Sequence, residues 1–372
     1  MRVGRRDIIM GAAALAVAPP TGRAQEAAEL RLTVMGQALI QHDLRQYPWA
    51  DYAELAAMFG RADLCFTDLE TAIRNARADA PTREGVFLHT ADPVVLDCLQ
   101  DWHIGLLATS NNHAFDLGGG GIVGAIEELD RRGLAHAGSG ADLAAAAAPA
   151  FCRTASGGVA LIAGASGAIR DGGAATPTRP GVNELRVTGP ANAAALDPAD
   201  TARALDAVRS AAAAADTVIV YHHNHALTDK GHAVPDWQRD FAHRCIDAGA
   251  SLFVSHGAPW LLGIELYKQR PIFYDLGSLV FQSATEAGAY DATAWQSVIG
   301  ECRFVRNYLA ELRLTPVQLN EQPVDGDLAT RGRPSLAHGA EAATILDHLA
   351  GLSAPFGTQF TRTGDTATLR LT

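Results

Sequence analysis

The chain has 372 residues, a formal net charge of −11 and 48% hydrophobic residues. That suffices for one large α/β domain or two smaller ones, and the acidic balance repels nucleic-acid phosphates. No stretch reaches the roughly 20 consecutive apolar residues of a membrane helix. Cys65, Cys98, Cys152, Cys245 and Cys302, odd in number and far apart, predict buried free thiols and no disulfide framework.

The first segment reads as an address. Arg5 and Arg6 precede the apolar Ile8–Ala18, followed by Pro19-Pro20 and the small-x-small site Gly22-Arg23-Ala24. That order predicts a twin-arginine-type signal peptide over residues 1–24, and hence a periplasmic or extracellular mature protein with no transmembrane helix. Leu30–Gly36 reads as the first strand and leads into Gln37 and His42. Tyr52–Phe59 is a short helix, Asp63–Thr67 a second strand opening into Asp68-Leu69-Glu70, and residues 71–90 a polar rim loop. Asp92-Pro93 predicts a helix start, with Asp92 as N-cap and the proline at the first helical position, running to Trp102. The third strand, Ile104–Ser110, opens into Asn111-Asn112-His113, with Asp116 three residues on. Gly118–Gly121 reads as a flexible turn before a helix to Arg132, because it lacks the lysine and spacing of a P-loop.

Leu134–Ala137 is a short strand and Asp142–Ala148 a helix, and Phe151–Ala155 with Gly158–Ile162 form an antiparallel hairpin. Residues 164–200, rich in glycine, proline and alanine, are the best internal breakpoint. A helix over Pro198–Ala215 precedes the most informative stretch, Asp216–His225 (DTVIVYHHNH). Its β-branched run has the length of a central parallel strand, and it stops at His222, His223 and His225. Pro235–Ala248 is a helix, and Ser251–Ser255 a strand opening into His256. Ile264–Lys268 with Pro271–Leu276 form a tight hairpin, Cys302–Phe304 and Tyr308–Thr315 late strands, and Gln318–Ser335 a loop. Glu341–Leu352 is an amphipathic helix and Ala367–Thr372 an edge strand. The alternation predicts an α/β fold, a layered αββα sandwich of mixed sheets, with a single doubly wound sheet as second choice. Residues 25–316 make the main domain and 317–372 a C-terminal extension packed on it.

Polar side chains recur just past the ends of apolar runs, at Asp68, Glu70, Asn112, His113, His223 and His256. In an open α/β sheet that is where ligands sit, and imidazole, carboxylate and carboxamide groups together suit a hydrolytic divalent-metal site. His223 and His225, two apart on an extended segment, share a face that His222 does not. His89, His103, His136, His232, His243, His338 and His348 read as structural or exposed, and Trp260 as core or pocket wall.

Three segments resemble the poly-γ-glutamate capsule synthesis protein CapA family, within the calcineurin-like metallo-dependent phosphatase superfamily. Ala62–Thr71 (ADLCFTDLET) is similar to that family's A-D-x-x-x-x-N-L-E, and Ala108–Asp116 (ATSNNHAFD) to A-N-N-H-x-x-D. Ala248–Phe281 carries a histidine after a strand, then G-I-E-x-Y and P-I-x-Y-x-L-G. The chain departs from the pattern at Gln37, where the family places a metal-binding aspartate, at Pro259 in place of a second histidine, and at Asp68 in place of asparagine. His42 and His225 are extra imidazoles able to compensate. The resemblance implies a metallo-dependent phosphatase-like fold and a divalent cation, zinc, manganese or iron. Asp68, Glu70, Asn112, His223, His225 and His256 would hold it, and His113, oriented by Asp116, would act on substrate. It also implies an exported enzyme acting on a peptide-like, acyl or phosphoryl group of an envelope polymer, in capsule biosynthesis. A non-catalytic assembly protein and a peptide epimerase are the alternatives. A polyglutamate ligand would need a locally basic surface on so acidic a chain.

Overall fold

The computed structural model describes residues 29–190, 193–228 and 231–371; the signal peptide expected over 1–24 lies outside them. Four strands come first: β1 (Glu29–Val34), β2 (Leu64–Asp68), β3 (Ile104–Ala108) and β4 (Ala135–Ala137). A second sheet follows with β5 (Ala150–Thr154), β6 (Gly157–Ser166), β7 (Thr217–Asn224), β8 (Leu252–His256), β9 (Ile264–Tyr267) and β10 (Arg270–Phe273). The chain then returns to the first sheet with β11 (Gln296–Val305), β12 (Tyr308–Leu319), β13 (Pro334–Leu336), β14 (Thr361–Thr363) and β15 (Thr366–Arg370). The nine-stranded sheet has the order β14-β15-β12-β11-β1-β2-β3-β4 with β13 on β12, and the six-stranded sheet the order β9-β10-β8-β7-β6-β5. Parallel pairing runs through β1 to β4 and through β6-β7-β8-β10. β11, β5 and β9 pair antiparallel at the flanks of these runs, so both sheets are mixed.

Alternation along the strands decides what each layer buries. Leu32 and Val34 of β1, Phe66 of β2 and Leu106 of β3 meet Leu161 of β6, Ile219 and Tyr221 of β7 and Val254 of β8 in one core between the sheets. Helices α1 (Tyr52–Phe59), α2 (Val94–Asp101) and α3 (Gly118–Arg131) pack on the outer face of the first sheet. α4 (Pro198–Ala212) and α5 (Asp236–Ala248) pack on the outer face of the second. The result is the layered αββα sandwich. β7 is buried at all eight positions, as a strand covered by helices on one side and a second sheet on the other must be. The residues from 317 on carry β13, β14, β15 and α6 (Gly339–Ser353), whose Ile345 and Leu349 join the inter-sheet core.

Several local expectations need correction. Asp92 does not cap α2: Pro93 holds the cap position, and the Asp92 carboxylate accepts from Arg74 Nε at 2.9 Å. The glycines at 118–121 are no flexible turn but the first turn of α3, pressed against the preceding loop. A Cβ on Gly120 would lie 1.9 Å from the Arg77 carbonyl oxygen, and one on Gly124 would lie 2.0 Å from Asn75 Oδ1. Residues 164–200 are not a boundary, because β6 and β7 on either side pair along eight residues. Asp197 caps α4, accepting from the amides of Ala199 and Asp200 with Pro198 in the first turn.

Candidate metal centre

Parallel strands from both sheets deliver their carboxyl ends to one place. β2 ends in Asp68 with Glu70 just beyond; β3 leads into Asn111, Asn112 and His113; β7 carries His223 near its end, and β8 ends in His256. His223 and His256 are register partners. The two-residue alternation turns His223 toward the inter-sheet side. His222 is on the helix side, where its Nε2 meets Ser166 Oγ at 2.9 Å and its ring lies against Trp237 and Phe241.

His223 is the hub, and its two nitrogens face different groups. Nε2 meets Asn112 Oδ1 at 2.9 Å and Glu70 Oε1 at 3.6 Å. Nδ1 meets the Tyr221 hydroxyl at 3.0 Å and Asp68 Oδ2 at 3.4 Å. The His225 ring follows at 5.0 Å between centroids. Ligand-capable atoms of Glu70, His223 and His225 all lie within 4.8 Å of one another. Asp68 is fixed by Asn111, whose amide Nδ2 donates to Asp68 Oδ1 at 3.0 Å and to the Leu69 carbonyl at 2.8 Å.

These groups are buried and incompletely paired. Glu70 Oε2, Asp68 Oδ2, His225 Nε2 and both ring nitrogens of His256 have no hydrogen-bond partner among the described residues, although buried polar atoms are almost always satisfied. Burial drives His223, His225 and His256 down to about 3, so all three imidazoles are neutral at pH 7. Burial also lifts Asp68 up to about 7, against the pull of the Asn111 amide. Glu70 is held well above the ordinary carboxyl value by burial and then by Asp68 and Asp116. Neutral imidazoles beside carboxylates that resist ionising, with lone pairs left over, form a donor set that a divalent cation satisfies.

Beside this cluster stands a dyad. His113 Nδ1 and Asp116 Oδ2 are 2.9 Å apart. Arg83 Nε donates to Asp116 Oδ1 at 2.7 Å, the His89 amide donates to Asp116 Oδ2 at 3.0 Å, and the Arg83 guanidinium also donates to the Asn112 carbonyl. Burial, then Arg83, holds His113 well below its ordinary value, and burial lifts Asp116 up to about 6.

The structure thus gathers Glu70, Asn112, His223 and His225 on the Nε2 side of His223, with Asp68 on its Nδ1 side, His256 in register beside His223, and His113 and Asp116 adjoining. His42 does not join the group; its charged neighbours are Asp327 and Arg74. Gln37 pairs in register with Ser278, and its Oε1 is buried without a hydrogen-bond partner among the described residues. His89, read above as structural or exposed, lies against His113 with ring centroids 4.1 Å apart and the rings tilted by 52°. Arg83 and Asp275 escape sequence reading. Arg83 comes from an irregular loop without periodicity. Asp275 is buried, accepts from the Gly277 amide at 2.9 Å, and is held well above its ordinary value by burial with a contribution from Glu70. Its position inside P-I-x-Y-x-L-G was the available signal.

Residues 31–283 match the sequence profile of the bacterial capsule synthesis protein PGA_cap. An uncharacterized protein of Sinorhizobium fredii is 28% identical, the alignment covering 89% of this chain and 90% of that protein. A probable polyglutamine synthesis accessory protein of Mycobacterium tuberculosis is 31% identical over 63% of this chain and 60% of its own length. The PGA biosynthesis protein CapA of Bacillus subtilis is 27% identical over 60% and 53%. Among solved structures, a hypothetical protein of Thermus thermophilus aligns with a TM-score of 0.40 at 15% identity, covering 82% of this chain and 96% of that one.

Proposed function

The chain belongs to the bacterial capsule synthesis protein family PGA_cap, and from that premise we propose that it is an exported, metal-dependent hydrolase acting on an amide-type bond of an envelope polymer or peptide-like substrate. The observation that carries this reading is the grouping of Glu70, His223 and His225 within 4.8 Å. Two imidazoles and one carboxylate, with further positions open, are the donor set of single-metal sites that cleave amides. Glu70, Nε2 of His223 and His225 would hold the cation, with Asn112 Oδ1 and His256 at hand. Asp68 would sit behind them: with a cation at Nε2, the proton would lie on Nδ1, which faces the Tyr221 hydroxyl at 3.0 Å and Asp68 Oδ2 at 3.4 Å. Zinc, manganese and iron all suit these ligands.

A cation held by Glu70, His223 and His225 would supply Lewis acidity toward a substrate oxygen and a bound water. The chain's own residues do the rest. Asp116 anchors Nδ1 of His113 and fixes the tautomer, leaving Nε2 facing away to exchange a proton with substrate, although burial and Arg83 weaken its basicity. Arg83 ties Asp116 to the Asn112 backbone, so dyad and ligand shell move as one unit. Burial of the cluster keeps bulk water out.

Metal analysis of the purified mature protein tests this reading. We expect at least one tightly bound transition metal per chain, lost in His223→Ala and retained in His113→Ala, with turnover of a peptide-like substrate lost in both. Full metal retention in His223→Ala removes the assignment. Hydrolysis of a generic phosphodiester but of no amide would move the chemistry to phosphoryl transfer.

A further inference from the structure

Ile219, Tyr221 and His223 alternate along β7 and share its inter-sheet face. Tyr221 is buried there among Phe66, Leu161, Ile219 and Val254. Phe66 meets its ring edge-on with centroids 5.7 Å apart, and the His256 ring lies 5.5 Å from it. A hydroxyl carried into apolar surroundings is unfavourable unless it is hydrogen-bonded, so phenylalanine would suit this position better if the oxygen were idle. That oxygen is 3.0 Å from Nδ1 of His223.

The two sides of the His223 ring make different demands. Nε2 faces Asn112 Oδ1 at 2.9 Å. An amide oxygen only accepts, so at that distance it meets a proton on Nε2, or both atoms turn their lone pairs to a cation. Burial keeps the imidazole neutral at pH 7, and a neutral ring carries one proton. Without a cation the proton is therefore on Nε2 and Nδ1 needs a donor. With a cation on Nε2 the proton is on Nδ1, which then needs an acceptor. Ionised Asp68, whose Oδ2 is 3.4 Å away, can only accept. The Tyr221 hydroxyl can do both, and burial, then Asp68 and Glu70, hold it far above the ordinary phenol range, so it keeps its proton.

We propose that Tyr221 is the positioning residue that lets His223 exchange tautomers between the cation-free and cation-bound states. In the cation-free protein its hydroxyl donates to Nδ1 and so holds the ring proton on Nε2, against Asn112. With Nε2 committed to a cation, the N–H bond at Nε2 is broken and one at Nδ1 is made, so the imidazole stays neutral and releases no net proton. The hydroxyl then turns, accepting from Nδ1–H and donating to Asp68 Oδ2. Among the described residues that oxygen has no hydrogen-bond partner, yet it is close enough to the hydroxyl for each group to act on the other. Neither state leaves a nitrogen of His223 unpaired, which a phenylalanine could not achieve. The exchange rests on the metal reading of Nε2 and adds to it a group that touches neither cation nor substrate.

The test is long-range proton–nitrogen correlation NMR on the purified protein with ¹⁵N-labelled histidine, at pH 8, where Asp68 is ionised. His223→Gln assigns the resonances, and circular dichroism checks the fold of each variant. In the metal-free protein we expect a pyrrole-type Nε2 and a pyridine-type Nδ1, and after zinc loading a pyrrole-type Nδ1. In metal-free Tyr221→Phe only Asp68 remains beside Nδ1, so the ring should already be in the Nδ1–H form and the zinc-induced exchange should vanish. Adding Asp68→Asn to that variant should restore Nε2–H, because Asn111 donates to Oδ1 and leaves the new amide N–H aimed at Nδ1. A pyridine-type Nε2 in the metal-free unmodified protein, or one tautomer common to it and Tyr221→Phe, overturns the proposal and leaves the metal reading standing. Resonances of His223 that ignore zinc remove the metal reading and the exchange with it.

Discussion

Asp68 meets Nδ1 of His223 at 3.4 Å while Asn111 holds its other oxygen at 3.0 Å, which places it behind the imidazole. Outer partners of this kind typically contribute 10–100-fold in metal affinity. Asp68→Asn should therefore lower affinity by roughly that factor without abolishing binding, as measured by competition with a chromogenic chelator; an unchanged affinity would put Asp68 outside the shell. The residue types at this centre were readable from the chain, because each stands just past an apolar run. The division of labour between the nitrogens of His223 was not. It depends on Asn112, 111 residues away, and on the rotation of a ring that strand periodicity does not specify. Arg83 and His89 were less readable still: both come from the irregular 71–90 loop and gain their role only by reaching Asp116.

At the scale of elements, glycine and a buried carboxylate do the joining. α3 lies so close to the 75–79 segment that Gly120→Ala sets a Cβ against the Arg77 carbonyl. Overpacking of this kind costs about 1–3 kcal/mol, so Gly120→Ala should lower the urea midpoint with an unchanged slope. Glu265 on β9 fastens α5 to the second sheet. It accepts from Arg239 Nη2 at 2.8 Å and from the Tyr274 hydroxyl at 2.6 Å, and meets His243 Nε2 at 3.0 Å. Burial raises its pKa, but the hydrogen bonds from Arg239, Tyr274 and His243 outweigh it and hold the carboxyl below 4.5. A carboxyl depressed on folding stabilises above its unfolded value, and that stabilisation is lost as pH falls through the folded value. Glu265→Gln should cost about 1–3 kcal/mol at neutral pH, a gap that in denaturant titrations narrows as pH falls below 4.5 and through the folded value. The glutamate of G-I-E-x-Y thus serves the scaffold.

For the whole molecule, the lone pairs left unpaired at the inter-sheet rim among the described residues would couple stability to any cation they bind. A cation that binds only the folded chain adds about 2.7 kcal/mol at a free concentration 100 times its dissociation constant. Calorimetry should show the melting temperature rise by a few degrees on adding zinc or manganese, reversed by chelator and absent in His223→Ala. By itself the sequence determined the layered α/β class, the strands and most helices, the free thiols and the set of polar residues at strand ends. All of these follow from local periodicity and residue type, which act within a few residues of one another. Tertiary structure alone decided which of those ends meet and that the glycines of α3 mark close approach instead of flexibility. Such contacts join residues dozens to hundreds of positions apart, and only the stacking of two sheets between helices brings them within reach.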